Sequence, residues 1–348
     1  MGEKHSMETH WIKITEENRD ASIEAAAKLI RDGKIVAIPT ETVYGLGADA
    51  HNENAVREVF AVKGRPQDNP LIVHVCDLVM LKTAVREITP EAAALAKKFW
   101  PGPLTMVLPK TDSIPDSITC GLPTVAVRMP SHPVARALIR AAGTPVAAPS
   151  ANLSGKPSTT TGQHVWDDLE GKIPMILDAG PCEVGVESTV ISLSGARPTI
   201  LRPGIVTLEE IREVLPDAVM SEAVTHELAA GEKAESPGMK YKHYAPKAEV
   251  FLVRGSLDRF ADYTENIAAC DSYAMCFDGE EERIRIPSIA YGPKDNLELQ
   301  ARRLFAVLRA VDRFCAATVF VRVEKDTDTS SAVYNRLIRA AANKVVEL

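Results

Sequence analysis

The first two-thirds of the chain alternates between two patterns of apolar and polar residues. Short apolar runs typical of buried strands, such as KIVAIPT, LIVHV, LTMVLP and TVAVRM, are separated by stretches with helical spacing. In HPVARALIRAAG, for example, Val134, Ala137, Leu138 and Ala141 share one helical face, as expected for a helix that lies on a sheet. Tight hairpin signals are few, so the pattern predicts one open, mixed α/β sheet over about residues 10 to 215.

A second alternation follows a polar connector. Residues 216–235 are polar and lack periodicity, whereas from AEVFLVRG onward strand-like and helix-like segments alternate strictly. Strict alternation predicts a small, parallel, Rossmann-like α/β domain with helices on its faces.

The composition fits a globular protein of two domains. The chain has 348 residues, of which 45% are apolar and 25% are charged, and this length favours two domains over one core. The net charge of −7 argues against the broad basic surface on which nucleic-acid binders depend, although a local basic pocket stays compatible with it.

Cysteine usage and hydropathy indicate a cytoplasmic protein with no membrane partner. The six cysteines form no CxxC pair and no Cys/His metal spacing, so reduced and inert thiols are expected. No apolar run reaches the roughly 18 residues that a membrane span needs, and MGEKHSMETHWIKI is too polar for a secretory signal.

Several of the apolar runs end in polar, conformationally special tips. Open α/β sheets bind ligands at strand ends, but the turn preference of Ser, Asn and Gly explains such tips equally well. The tips are IPTETVYGLG with Thr40, Glu41, Thr42 and Tyr44; VAVRMP with Arg128; APSANLSGKPS with Ser150, Asn152, Ser154 and Ser158; GVESTV with Glu187 and Ser188; and ILRPG with Arg202.

Four charged or titratable residues are candidates for chemistry, and each has a structural alternative. Lys63 and Arg65, in KGRPQDNPLIVH, could clamp a polyphosphate, or they could lie at a solvated helix end. Arg128 stands in an apolar strand, where it needs either a ligand or an ion pair with Glu41 or Glu187. His74, in LIVHV, is either a site residue or a buried core histidine.

The segment SPGMKYKHYAP carries two lysines, a histidine and two tyrosines between two prolines. Such a segment could cover a nucleotide with an aromatic ring while its cations approach phosphates. It could equally be a linker whose aromatic residues fasten two domains together.

Taken together, these motifs resemble one known family. PTETVYGLG, KGRPQDNPLIVH, WPGPLT, VAVRMPSHP, APSANLSGKPS, GVESTV and LRPG follow the order and approximate spacing of YrdC-like proteins. The resemblance covers residues 12–213 as a YrdC-like catalytic domain. The rest of the chain resembles the long, two-domain form of the family. In that form residues 214–246 would be an interdomain linker, and residues 247–348 would be a small α/β domain.

The resemblance implies an enzyme that makes threonylcarbamoyl-AMP and pyrophosphate from L-threonine, bicarbonate and ATP. A separate transferase would pass the product to tRNA, direct tRNA binding would be weak or absent, and Mg²⁺ would accompany ATP without a dedicated protein site. Two alternatives stay open: a carbamoyl-adenylate-forming enzyme and a YrdC-like module that binds RNA.

The resemblance also assigns residues to the two substrates. Threonine would contact Thr42, His74, Arg128, Ala148 and Ser188. ATP would contact Arg65, Asn69, Thr124, Ser150, Asn152, Ser158, Arg202 and Tyr241. Lys63 and Arg65 would stabilise the phosphates during catalysis.

Overall fold

The computed structural model describes residues 7–224 and 244–348. This part of the chain divides into two compact units. The second unit contains Gly155–Ser158, Val184–Val186 and residues 244–348, and the first unit contains the rest. The boundaries given above for the domains and the linker stay a prediction.

The first unit is built on one mixed sheet. Its strands are β1 (His10–Lys13), β2 (Val36–Ile38), β3 (Gly45–Asp49), β4 (Ile72–His74), β5 (Leu104–Pro109), β6 (Thr124–Arg128), β7 (Val146–Ala147), β8 (Met175–Asp178), β9 (Thr189–Ser192), β10 (Thr199–Arg202) and β11 (Val219–Met220). Within residues 7–224 these eleven strands pair in the order β1-β8-β2-β3-β7-β4-β6-β5-β9-β10-β11. Parallel pairs such as β4 with β6 and antiparallel pairs such as β5 with β6 make the sheet mixed.

Helices cover both faces of this sheet. They are α1 (Arg19–Arg31), α2 (Glu53–Lys63), α3 (Leu78–Ala84), α4 (Pro90–Phe99), α5 (Asp116–Thr119), α6 (Pro133–Ala142), α7 (Gly162–Leu169) and α8 (Leu208–Arg212). Val36 and Ile38 of β2 pack into one apolar cluster and Ala37 into another. Because successive strand residues point to opposite faces, the sheet is buried on both sides.

The helix at HPVARALIRAAG is confirmed as α6, and its buried face overlaps the predicted one but is shifted around the helix. Val134 and Leu138 are buried as expected, whereas Ala137 and Ala141 are only half-buried. The adjacent positions Ala135, Ile139 and Ala142 are buried as well, because the face is centred nearer the larger Ile139, and the two half-buried alanines still pack against the same apolar cluster.

The second unit has a parallel sheet, as the strict alternation predicts. Its elements are β12 (Glu249–Arg254), α9 (Leu257–Ile267), β13 (Ser272–Cys276), β14 (Ser288–Ala290), α10 (Leu297–Arg313), β15 (Thr318–Val323), α11 (Ala332–Ala340) and β16 (Val345–Glu347). Within residues 244–348 the strands pair in the order β14-β13-β15-β12-β16, and each pair is parallel. The predicted fold class is therefore confirmed for both parts of the chain.

Candidate functional site

Three neighbouring strands inside the large sheet bring polar side chains together. These side chains lie at one edge of the sheet, which is formed by the last residues of β4 and β6 and the first residues of β5. Strand β4 ends at His74 and strand β6 ends at Arg128, and these two residues face each other in register. On the other side of β6, Arg128 faces Thr105 near the start of the antiparallel strand β5. All three residues are buried, so this edge carries polar groups that are largely removed from water.

The guanidinium of Arg128 is held from three directions. Its Nε donates to the carbonyl oxygen of Gly102 at 3.2 Å, and its Nη1 donates to Thr42 Oγ1 at 2.9 Å. Its Nη2 lies 2.6 Å from Glu41 Oε1, and both charged side chains are only 4% exposed. The predicted ion pair between Arg128 and Glu41 is therefore present. The guanidinium still has N–H groups beyond those that make these three contacts.

The PTETVYGLG segment folds so that its polar groups point toward Arg128. Thr40 Oγ1 donates to the carbonyl oxygen of Val43 at 2.6 Å and lies 2.9 Å from Thr42 Oγ1. The same Thr40 oxygen accepts the backbone N–H groups of Thr42 and Val43. This local turn fixes the Thr42 hydroxyl where it accepts from Arg128.

Burial and the Arg128 charge set the protonation states at this edge. Burial alone would raise the pKa of Glu41, but the charge of Arg128 and its hydrogen bond outweigh burial and hold that pKa below its usual value. Burial, followed by repulsion from Arg128, lowers the pKa of His74 to about 3. The site therefore contains an ionised carboxylate and a neutral imidazole, whose buried Nδ1 has no hydrogen-bond partner among the described residues.

Ser188 connects a further arginine to the same edge. Ser188 Oγ lies 2.8 Å from Thr105 Oγ1 and accepts from Arg202 Nη2 at 3.2 Å. Arg202 also donates through Nε and Nη2 to the Ser188 carbonyl oxygen. Thus Arg202, predicted to contact ATP, lies beside Ser188, which is predicted to contact threonine.

Lys63 occupies a buried position at the end of α2. The helix is capped by Asn52, and Gly64, with a φ of 61°, ends it directly after Lys63. The Lys63 Nζ donates to the carbonyl oxygens of Ser150 and Asn152, and Lys63 is only 3% exposed. Lys63 is therefore not a solvated helix end, because the lysine joins α2 to the APSANLSGKPS segment.

Asn69 is the most deeply buried of the predicted ATP contacts in the first unit. It is 1% exposed, and neither Nδ2 nor Oδ1 of its amide has a hydrogen-bond partner among the described residues. Arg65 donates to the carbonyl oxygens of Asn69 and Pro70 and so holds this turn in place. An unpaired buried amide costs free energy, which a bound ligand would relieve.

The candidate residues lie toward two different ends of β4 and β6. His74 and Arg128 end these parallel strands, whereas Asn69 precedes β4 and Thr124 begins β6. Thr124 and Arg128 are four residues apart, or about 13 Å at the rise of a strand. The candidate threonine contacts and ATP contacts are thus mostly separated along the strands.

The remaining predicted contacts are placed as follows. Ala148 is buried and donates its N–H to the carbonyl oxygen of Ile72, at the start of β4. Ser158 is buried and belongs to the second unit. Tyr241 and most of SPGMKYKHYAP lie outside the described residues.

Two residues that position this edge were not predicted. Thr105 interrupts the apolar run LTMVLP, and a buried hydroxyl in a strand is a signal that requires a partner. Asp178 ends β8 and accepts from the Tyr44 hydroxyl at 2.9 Å and from Trp11 Nε1 at 3.0 Å. Desolvation and the Asp178 charge raise the pKa of Tyr44, so this tyrosine serves as a hydrogen-bond donor.

Fold and site together define an α/β protein of two compact units, with a buried cluster of charged and polar side chains in the first unit. The sequence model for Sua5, YciO and YrdC, described as "Telomere recombination", matches residues 28–204. A second model, described as "Threonylcarbamoyl-AMP synthase, C-terminal domain", matches residues 206–342.

Full-length relatives agree with both matches. A threonylcarbamoyl-AMP synthase of Pyrococcus abyssi is 44% identical over 97% of this chain and 99% of the relative. That of Bacillus subtilis is 42% identical over 97% of this chain and 98% of the relative. The crystal structure of Pyrococcus abyssi Sua5 complexed with L-threonine is 41% identical, covers 98% of this chain and 99% of that chain, and has a TM-score of 0.86. The chain belongs to the threonylcarbamoyl-AMP synthase family, and the predicted resemblance is confirmed.

Proposed function

We propose that this protein makes threonylcarbamoyl-AMP and pyrophosphate from L-threonine, bicarbonate and ATP. The observation that carries the proposal is the Arg128–Glu41 pair, two opposite charges 2.6 Å apart in a buried site. A buried arginine with N–H groups to spare suits a carboxylate. The hydroxyls of Thr42 and Ser188 and the neutral imidazole of His74 suit the small polar remainder of threonine.

The threonine site would be completed by Ala148, whose backbone N–H donates to Ile72, only two residues before His74 in the short strand β4. The Pyrococcus abyssi relative is described in complex with L-threonine, and threonine is the substrate proposed here. Arg128 would bind its carboxylate, and the hydroxyl side chains would select a substrate with a hydroxyl group.

ATP would lie along the other ends of β4 and β6. Arg65, Asn69 and Thr124 are at that end, and Ser150 and Asn152 share the Lys63 contact there. Ser158, Arg202 and Tyr241 would complete the predicted contacts.

The chemistry proposed here is adenylyl transfer. An oxygen of the threonine carbamate attacks the α-phosphorus of ATP, the bond to the bridging oxygen breaks, and pyrophosphate leaves. Positioning and stabilisation of negative charge carry such a step, for which we propose Lys63 and Arg65. Because the Lys63 Nζ already contacts two carbonyl groups, its role is to hold the APSANLSGKPS segment and to add positive potential.

Mg²⁺ would enter with ATP. Within residues 7–224 and 244–348, no three His, Cys, Asp or Glu side chains group as ligands of a metal ion. We propose that the phosphates of the nucleotide hold the cation, as they often hold Mg²⁺. When bound, Mg²⁺ would neutralise phosphate charge.

The product would be consumed by a separate transferase that modifies tRNA, and a cytoplasmic location is part of the same proposal. Among helices of the described residues, none combines the length and apolar character needed to cross a lipid bilayer. Direct binding of tRNA is proposed to be weak or absent because of the overall charge of −7.

The test of the function is pyrophosphate release from ATP in four mixtures: with both L-threonine and bicarbonate, with either alone, and with neither. We expect release only when both are present. Release that needs bicarbonate but ignores threonine would indicate carbamoyl-adenylate formation instead. No release together with tight RNA binding would indicate an RNA-binding module.

Replacing Asn69 by Leu should weaken ATP use while stabilising the ligand-free protein. The amide is buried without a partner, so removing it should raise the free energy of unfolding by about 1–2 kcal/mol. Losing its hydrogen bonds to ATP should raise the KM for ATP about tenfold. Thermal unfolding without ligand and initial rates at varied ATP measure the two effects.

Asn54 offers the matched control, because it is exposed at the start of α2. Asn54→Leu should leave the KM for ATP unchanged. An unchanged KM in Asn69→Leu would remove Asn69 from the nucleotide site.

A further inference from the structure

Glu41 is ionised, buried and in contact with Arg128, yet the function proposed above gives it no task. Its two carboxylate oxygens are buried, and the carboxylate is stabilised by the charge and hydrogen bond of Arg128 and by the backbone N–H groups of Ser131 and Glu41. The ion pair places Glu41 Oε1 2.6 Å from Arg128 Nη2. An ionised carboxylate offers about four acceptor positions, so this one keeps capacity to bind a donor from a ligand.

The charge of the ligand follows from the pair itself. Arg128 and Glu41 together are neutral, and a ligand that brought only a carboxylate would leave the negative charge of Glu41 without full compensation. A zwitterion brings both charges, so its carboxylate matches Arg128 and its ammonium matches Glu41. Burial strengthens both interactions because the local dielectric constant is low.

We infer that Glu41 binds the α-ammonium group of threonine and accepts a proton from that group before the carbamate forms. This inference rests on the proposed function. The ammonium N–H bond breaks, its electron pair stays on nitrogen, and the proton moves to Glu41. The nitrogen then bonds to the carbon of bicarbonate and gives up a second proton, the C–OH bond of bicarbonate breaks, and the hydroxide leaves with that proton as water.

The other titratable groups around Glu41 are less suited to this role. The neighbouring groups from the packed segments are Arg128 at the end of β6, His74 at the end of β4, His132 before α6, and Cys182 after β8. Arg128 is a cation with no acceptor. His74 lies beside Arg128, and the positive charge of Arg128 disfavours a second positive charge on the imidazole. Cys182 is a buried thiol. His132 lies near the Glu41 charge, but no described hydrogen bond joins it to Arg128 or Thr42.

Glutamine at position 41 separates this role from a purely structural one. The test measures binding of L-threonine and of 3-hydroxybutanoate, which is threonine without its amino group, by titration calorimetry. With Glu41→Gln, threonine should bind at least about tenfold more weakly. The carboxylate-only ligand should bind as well as or better than before, because the Arg128 charge is no longer neutralised. If Glu41 only positions Arg128, both ligands weaken together, and the inference is overturned.

Glu41→Asp keeps the charge and guards against a folding failure of the amide variant. It should retain a preference for threonine over 3-hydroxybutanoate, and loss of that preference would count against the inference. Glu53→Gln, which changes an exposed carboxylate in an i,i+4 pair with Arg57, should leave both affinities unchanged.

The pH dependence of turnover tests the proton transfer. At saturating threonine, the rate of Glu41→Gln should rise about tenfold per pH unit as the free amine becomes available, while the wild-type rate changes far less. Parallel pH profiles for the two proteins would overturn the base role. The binding measurements need no turnover, so they judge Glu41 even if the wild-type protein makes no pyrophosphate and the proposed function fails.

Discussion

Replacing Arg128 by Met should lower kcat/KM for threonine by at least about 100-fold, the loss expected when one partner of a buried charge interaction is removed. The same change leaves Glu41 buried without its counter-ion. An uncompensated buried charge costs about 3–5 kcal/mol of folding free energy. The variant should therefore lose both threonine use and stability, measured by initial rates at varied threonine and by chemical denaturation.

A double variant separates the two losses. Glu41→Gln with Arg128→Met removes both charges, and a buried pair replaced in this way is often neutral for stability. We expect recovery of most of the folding free energy but not of threonine use. Arg86→Met, which breaks an exposed pair with Asp112, is the control and should change neither property. Wild-type threonine dependence in Arg128→Met would exclude Arg128 from the substrate site.

The secondary structure of both units could be predicted because local periodicity encodes it. The run LTMVLP became β5, TVAVRM became β6, and AEVFLVRG became β12. The order of strands in the large sheet could not be predicted in the same way. Strand β7 has two residues and lies between β3 and β4, and such a long-range pairing leaves no periodic trace in the sequence.

The division of the site between the two ends of β4 and β6 was also hidden. Polar residues after apolar runs were expected at carboxyl ends of strands, as in open parallel sheets. Ser150 follows β7, which runs antiparallel to β4, so the end of β7 lies beside the start of β4. Strand direction therefore decides where a polar tip points, and periodicity does not reveal direction.

The position of Lys63 shows how tertiary contacts override a local pattern. A lysine in the last turn of a helix, followed by Gly64, is typical of a solvated C-terminus. In the structure two carbonyl groups from a segment almost ninety positions later accept its Nζ hydrogens. The partner segment is far away in sequence, so the burial of Lys63 could only be seen in three dimensions.

The Arg128–Glu41 pair, by contrast, followed from a general rule. An arginine in an apolar strand requires a counter-charge or a ligand, and two glutamates near strand ends were the candidates. The structure shows the ion pair with Glu41, and the function proposed here uses the pair as well. The ion pair and the binding site, which the sequence left as alternatives, are compatible because the guanidinium has five N–H donors.

The free energy of unfolding should fall steeply as the pH decreases from about 6.5 to about 3, with His74 as a main cause. Burial and the Arg128 charge lower the pKa of His74 to about 3, so the folded protein excludes the proton that the unfolded chain binds below about 6.5. The unfolded state then binds one more proton, and stability decreases by about 1.4 kcal/mol per pH unit. Glu41 acts in the same direction at lower pH, because its folded pKa is depressed and its contribution is lost on protonation.

His74→Asn isolates the histidine contribution from that of Glu41. Denaturation curves between pH 7 and pH 4 should show a smaller slope for this variant than for the wild type, by up to about 1.4 kcal/mol per pH unit. His51→Asn changes an exposed histidine and should reproduce the wild-type slope. Equal slopes for all three proteins would mean that His74 takes up a proton in the folded state at ordinary pH. The electrostatic argument for a neutral imidazole beside Arg128 would then be wrong, and with it the reason for preferring Glu41 over His74 as the base.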